Sequence, residues 1–169
     1  MSEEIFDVCD EQDNVIGQAP RSVVHARKLL HRAVHIWVFN SSGELLTHVR
    51  SATKDEFPST YTSSASGHLS AGETYDEAAP RELEEELGIR AELTRLTSLP
   101  ASPATAYEHT VLYRCTTDAT PRPDPGEVAA VEFRPFAYVA EMARTSPEKF
   151  SPPFLQLVEW AVAIGLGRS

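Results

Sequence analysis

Cysteine is scarce in this sequence: Cys9 and Cys115 are the only two, far apart and in no C-x-x-C spacing. That excludes a disulfide framework and a cysteine zinc site, and it favours a reducing, cytoplasmic compartment. No run approaches the roughly 18 apolar residues of a membrane-spanning helix, so no transmembrane segment is expected. The opening residues, MSEEIFDVCDEQDN, are acidic where an export signal would be basic and then apolar. Basic side chains are in deficit, 15 against 25 acidic, for a formal net charge of -10. A balance of that sign repels polyanions, which argues against nonspecific binding to nucleic-acid polymers or anionic membranes.

What is present is an ordinary globular composition, 41% hydrophobic and 24% charged over 169 residues. No internal repeat or low-complexity linker divides the chain, so one domain over 1–169 is expected, with an N-terminal hairpin and extension over 1–31. Residues 5–18 read as two short strands around a turn, and 20–31 as a short helix or loop. AVHIWVF (33–39) and 44–50 are strand patterns joined by the hairpin signal Asn40-Ser41-Ser42-Gly43. Residues 51–72, rich in Ser, Thr and Gly, read as one long loop, a length that tends to be functional. Thr74 and Glu77 form a capping-box pattern that opens a helix to about Leu87, with Gly88 as its stop. Pro80 inside it predicts a bend or a later start. Three more strands (about 91–98, 107–116 and 128–134) and two helices (near 136–144 and 153–165) follow. This order predicts an α/β (α+β) layered fold, with helices packed on a mixed central sheet. Cys9 and Cys115 read as buried apolar residues, and Trp37 and Trp160 as core anchors.

Charge is unevenly distributed. Residues 61–72 carry none, whereas 73–86 carry seven acids and one base. On a helix, Glu82, Glu85 and Glu86 share an arc of about 100° at i+3 and i+4 spacing, while Ala79, Leu83 and Leu87 fall on an adjoining apolar face. Like charges at this spacing repel, and no lysine is interleaved among them. A hard divalent cation, Mg²⁺ or Mn²⁺, would resolve that repulsion, because such ions take carboxylate oxygens and keep waters for a phosphate-bearing ligand.

The surrounding segment, GHLSAGETYDEAAPRELEEELGI (67–89), holds Gly67, Glu73, Arg81-Glu82-Leu83, Glu85-Glu86 and Gly88-Ile89 at the spacing of the Nudix signature. The chain therefore resembles a Nudix hydrolase over most of its length. The resemblance implies an α/β/α sandwich in which the box forms a loop–helix–loop, binds divalent metal and cleaves a diphosphate linked to another group. It makes Glu82, Glu85, Glu86 and the Gly67 carbonyl the metal ligands, with Glu85 and Glu86 serving catalysis and Arg81 and Glu73 bracing helix and loop. Another carboxylate from outside the box is often recruited, and Glu108 and Glu127 are the candidates. Homodimers are common in the family.

HARKLLH (25–31), RAVHIWVFNSSGELL (32–46), the stretch from Arg50 to the box, and FSPPFLQLVEWA (150–161) look like the isopentenyl-diphosphate isomerase branch of that family. There, histidines at positions matching His25, His31 and His68 help bind a metal. His25 and His31 are further candidate ligands, His68 a structural or substrate contact, and His35 structural. The branch also requires a cysteine just before the box glycine, where this chain has Ser66. Ser66 and the complete box favour hydrolysis of a nucleoside diphosphate derivative or related small diphosphate over isomerisation. A non-catalytic nucleotide-binding Nudix domain is the third alternative. Among the basic residues upstream, Arg50 and Lys54 are the first candidates for the diphosphate, through charge-assisted contacts. Phe57, Tyr61 and Tyr107 are candidates to stack or to line a pocket.

Overall fold

The computed structural model describes residues 3–166. Strands β1 (Ile5–Cys9) and β2 (Val15–Pro20) pair antiparallel in a small two-stranded sheet. The Asp10 carboxylate closes their turn by accepting the backbone N–H groups of Gln12 and Asn14, both at 2.9 Å. A short helix, α1 (Arg21–Ala26), leads into the central sheet.

That sheet is built on β3 (His31–Phe39), which alternates strictly: Val34, Ile36 and Val38 face one core, Trp37 and Phe39 the other. On one side β3 pairs in parallel with β8 (Glu108–Thr116), which in turn pairs antiparallel with β7 (Thr94–Leu99). On its other side β3 changes partner. It meets β4 (Leu45–Arg50) only where Phe39 faces Leu45, and from Ala33 to Ile36 it pairs instead with β6 (Ala65–His68). β4 carries β5 (Tyr61–Thr62) and β9 (Val128–Arg134). The mixed sheet is therefore split along β3, with β4 and β6 diverging from a common neighbour.

Helix α2 (Tyr75–Leu87) covers one face through Ala78, Ala79, Leu83 and Leu87. Helices α3 (Phe136–Thr145) and α4 (Pro152–Ala163) cover the other, packing Phe136, Val139, Phe154, Leu157 and Val158 on Trp37. The architecture is an α/β/α sandwich. No helix among the described residues is long and apolar enough to cross a membrane.

Three expectations are corrected. Residues 51–72 are not one loop, because β5 and β6 lie within them. Their Ser-rich sequence has low strand propensity, and pairing with β4 and β3 decides the matter, as tertiary context overrides propensity. Buried Ser63 and Ser64 serve these pairings: Ser63 Oγ accepts the Trp37 indole N–H at 3.0 Å, and Ser64 Oγ accepts the Val38 N–H at 2.9 Å. Second, α2 does not start late at Pro80. The reciprocal Thr74–Glu77 capping box fixes its start, and the helix continues through the proline. Third, Trp160 is only half-buried at the edge of the second core, unlike fully buried Trp37.

Gly88 ends α2 in the left-handed region, at φ 64°, and donates its N–H to Glu84 O at 2.9 Å. A Cβ there would lie 3.2 Å from the Arg122 guanidinium. Gly88→Ala is expected to cost about 1–2 kcal/mol. At roughly 2–4 °C per kcal/mol, thermal denaturation followed by circular dichroism will read this as a lower melting temperature.

Candidate active site

A polar cavity of about 410 Å³ opens where β3 exchanges β4 for β6. From α2 it receives Arg81, Glu82, Glu85 and Glu86, from β6 Ser66, Gly67 and His68, and from the segment after β8 Asp124 and Glu127. Arg50 ends β4 at its wall, with Lys54 beside it.

The box helix packs its glutamate face close against the backbone of β6. Gly67 lies so close to α2 that a Cβ would fall onto the Glu82 carboxylate. Glu86 is 5% exposed, and its Oε1 accepts the Ser66 backbone N–H at 2.8 Å. Arg81 gathers the rest. Its Nε and Nη2 grip both Glu73 oxygens at 2.7 and 2.8 Å, and its Nη1 reaches Glu82 at 2.8 Å and Glu85 at 3.2 Å. Nη2 also donates to His68 O at 3.3 Å. Glu73 thus stands outside the cavity and acts through Arg81.

Burial sets the proton affinities. It drives the Glu86 carboxyl up to about 8, assisted by the neighbouring Glu82 charge. Burial likewise raises Glu82 to about 7, with Arg81 opposing and Glu85 assisting. Buried carboxylates crowded against a strand, with one guanidinium shared among them, fit a hard divalent cation well: such an ion would supply the positive charge that the fold does not.

A second group lies against the first. Ligand-capable atoms of His25, His31 and His68 all fall within 4.8 Å of one another. His31 Nδ1 donates to Leu29 O at 2.8 Å, and the Nε2 atoms of His25 and His31 are buried without a hydrogen-bond partner among the described residues. Glu108 Oε2 is likewise buried and unpartnered by a hydrogen bond, 3.6 Å from His68 Nε2. Phe6 of β1 packs on all three rings and stacks on His31 with an interplanar angle of 13°. Burial pulls His31 down to about 4 and His68 to about 3, so both are neutral at pH 7. His31 keeps a free lone pair on Nε2, whereas the Nδ1 lone pair of His68 accepts from Arg21 Nη1 at 3.4 Å. Burial also raises Glu108 to about 7, with His31 opposing. Imidazole-rich sets suit transition metals, whereas the box carboxylates suit Mg²⁺ or Mn²⁺. His68, expected as a structural or substrate contact, therefore stands with His25 and His31 as a member of this cluster.

Of the other expected residues, Glu127 lies at the cavity with its carboxylate 2.5 Å from Lys54 Nζ. Glu108 links the cavity to the histidines. Phe57 lines the rim, but Tyr61 packs on Phe150 and Tyr107 lies near Lys28. His35 does line the cavity, with Nδ1 2.6 Å from Ser63 Oγ, although its role was expected to be structural. Arg21, one of the basic residues upstream of the box ranked behind Arg50 and Lys54, lines the cavity as well, whereas Glu56 and Asp124 were not anticipated. Arg21 comes from a helix whose position depends on the N-terminal hairpin, and no local pattern marks the other two.

The family model described as NUDIX domain matches residues 29–157, and the chain belongs to that family. It is 33% identical over 162 residues to an isopentenyl-diphosphate delta-isomerase of Serratia proteamaculans, covering 93% of this chain and 90% of the relative. An uncharacterized Nudix hydrolase of Streptomyces coelicolor is 48% identical over 87 residues, 52% of this chain and 48% of that protein. The chain thus spans about half the length of the Streptomyces relative. Among solved structures, a Nudix protein of Deinococcus radiodurans superposes with a TM-score of 0.81 at 28% identity, over 93% of this chain and 98% of that one. Family membership supports a hydrolase.

Two outcomes follow from the raised carboxyls. A folded-state pKa near 8 for Glu86, against 4.5 for the free group, means that the metal-free protein loses stability as pH rises from about 4.5 through 8. Glu86→Gln should therefore raise the metal-free melting temperature at pH 8, by roughly 2–4 °C per kcal/mol relieved. Because metal must displace those protons, Mn²⁺ affinity measured by calorimetry should increase between pH 6 and 8 with net proton release. Affinity that is flat across this range, or unaltered Mn²⁺ binding by Glu86→Gln, would contradict the assignment.

Proposed function

We propose that the protein is a divalent-metal-dependent hydrolase that cleaves the P–O–P linkage of a small diphosphate, such as a nucleoside diphosphate derivative. The observation that carries this is the convergence of Glu82, Glu85 and Glu86 on one cavity with Arg50 and Lys54. Mg²⁺ or Mn²⁺ held by the three glutamates and the Gly67 carbonyl, with Glu127 or Glu108 as a further donor, would supply charge neutralisation and Lewis acidity. His25, His31 and His68 would hold a second, nitrogen-liganded ion. Arg50 and Lys54 would take the phosphate oxygens through charge-assisted hydrogen bonds. Water attacks one phosphorus, the bridging P–O bond breaks, and the water's proton passes to a cavity carboxylate, Glu85 or Glu86. Arg81 and Glu73 keep those carboxylates aimed.

A second reading, isomerisation of isopentenyl diphosphate, has two observations behind it: the histidine cluster and the likeness to the Serratia isomerase across most of both chains. Against it stands Ser66, whose side chain occupies the place of the cysteine that the isomerase branch requires.

A panel of diphosphates with Mg²⁺ and Mn²⁺ separates these. Hydrolysis should appear, and Glu85→Gln and Glu86→Gln should each lower kcat/KM by roughly 10²–10⁴-fold. Full metal-dependent turnover in those variants would overturn the proposal. Deuterium uptake into isopentenyl diphosphate without hydrolysis would favour the isomerase, and tight nucleotide binding without turnover a sensor domain.

A further inference from the structure

Two histidines of the buried cluster have their tautomers set by different parts of the fold. A backbone carbonyl, Leu29 O, takes the Nδ1 proton of His31, which leaves a lone pair on the buried Nε2. For His25 a side chain faces the outer nitrogen: Glu56 Oε1 lies 3.3 Å from His25 Nδ1, and His25 Nε2 is buried without a hydrogen-bond partner among the described residues. A carboxylate facing that nitrogen can only accept, which favours the neutral tautomer with its proton on Nδ1 and its Nε2 lone pair toward the cluster.

Glu56 is not on a rigid element, yet the chain takes trouble to place it. Arg50 Nε donates to Glu56 O at 3.1 Å, and Arg21 Nη2 donates to both Asp55 oxygens at 3.0 and 3.3 Å. Thr60 Oγ1 donates to Phe57 O at 2.7 Å. Phe57 and Ser59 hold φ values of 48° and 60°, unfavourable for side chains that are not glycine, and Phe57 also precedes a proline. Strain of this kind persists where the surroundings over-determine it. The segment delivers one carboxylate to the outer nitrogen of one histidine, and its anchor is the guanidinium proposed to hold substrate.

We propose that Glu56 is a positioning residue of the histidine cluster, fixing His25 in the Nδ1–H tautomer so that Nε2 is presented to a divalent transition-metal ion. The inference rests on the reading that His25, His31 and His68 hold a metal. Outer carboxylates of this type orient the ring and raise its basicity, and their loss costs roughly 10–100-fold in metal affinity.

The test uses the full chain carrying Glu82→Gln and Glu86→Gln, so that the box no longer competes. Zn²⁺ affinity is measured by calorimetry, and histidine tautomers in the metal-free state by long-range ¹H–¹⁵N correlation. His25 should be in the Nδ1–H form. Glu56→Ala should redistribute it toward Nε2–H and weaken Zn²⁺ binding by roughly 10–100-fold, while Glu56→Gln, which keeps an accepting oxygen, should recover much of both. A merely structural Glu56 would alter the melting temperature and leave tautomer and affinity unchanged, which would overturn the proposal. Should Glu56→Ala not fold, the tautomer of the parent chain and the Glu56→Gln affinity still decide it. If His31→Ala binds Zn²⁺ as the parent does, the histidine-metal reading fails and this inference with it. If His31→Ala loses binding and Glu56→Ala keeps it, only the inference fails.

Discussion

The guanidinium of Arg81 is where the box region is held together. Like-charged carboxylates at helical spacing do not remain together unaided, and a lysine would offer only a point charge. Arg81 offers a planar fork of donors. Two go to Glu73 on the loop before α2, one nitrogen serves Glu82 and Glu85 on the helix, and a donor reaches the backbone of β6 at His68. Loop, helix and strand are therefore fixed by one side chain, and the carboxylates acquire their aim from it. The absence of a side chain at Gly67 is the complementary constraint, because it lets the strand backbone approach the carboxylate that Arg81 holds.

The far end of α2 imposes a second condition. A helix leaves its last carbonyls without partners, and here the segment beyond β8 supplies some of them: Arg122 N donates to Leu87 O at 2.7 Å and Asp124 N to Glu86 O at 2.9 Å. Capping the box helix in this way delivers Asp124 and Glu127 to the cavity. Glu127 O then accepts Ser51 N at 3.0 Å, which ties the same segment to the arm that carries Lys54. A structural requirement of the helix end thus brings distant acids and a cation into one wall.

This explains what could be read from residue order and what could not. The glutamate face, the capping box and the Gly88 stop are local, so spacing along the chain reveals them. The near-continuous apolar run AVHIWVF likewise announces the strand β3. β5 and β6 were not legible, since beyond Tyr61 and Thr62 little in TYTSSASGH favours a strand, and pairing with β4 and β3 makes them. Glu56 was missed for the same reason, since it owes its place to a contact across the fold with His25, and Arg21, ranked behind Arg50 and Lys54, is likewise placed by Asp55. His68 shows the limit most sharply. Its neighbours in sequence belong to the box, whereas its neighbours in space are two histidines from α1 and β3 and a glutamate from β8.

Charge within the cavity bears directly on how an anion could enter. Its described lining holds eight carboxylates, from Glu4 to Glu127, against four fixed cations, Arg21, Arg50, Lys54 and Arg81. Nor are those cations idle: Arg21 is engaged by Asp55, Lys54 by Glu127, and Arg81 by three glutamates. A diphosphate arriving alone would meet net negative charge and would have to break ion pairs to reach Arg21, Lys54 or Arg81. Protonation of Glu82 and Glu86 removes part of that repulsion but also removes the ligands a metal needs. Divalent cations reverse the balance, since they take up the carboxylates and leave Lys54 and Arg50 to face the incoming phosphate oxygens. The surplus of acids in the sequence is thus compatible with an anionic guest only when the cation arrives with it or before it.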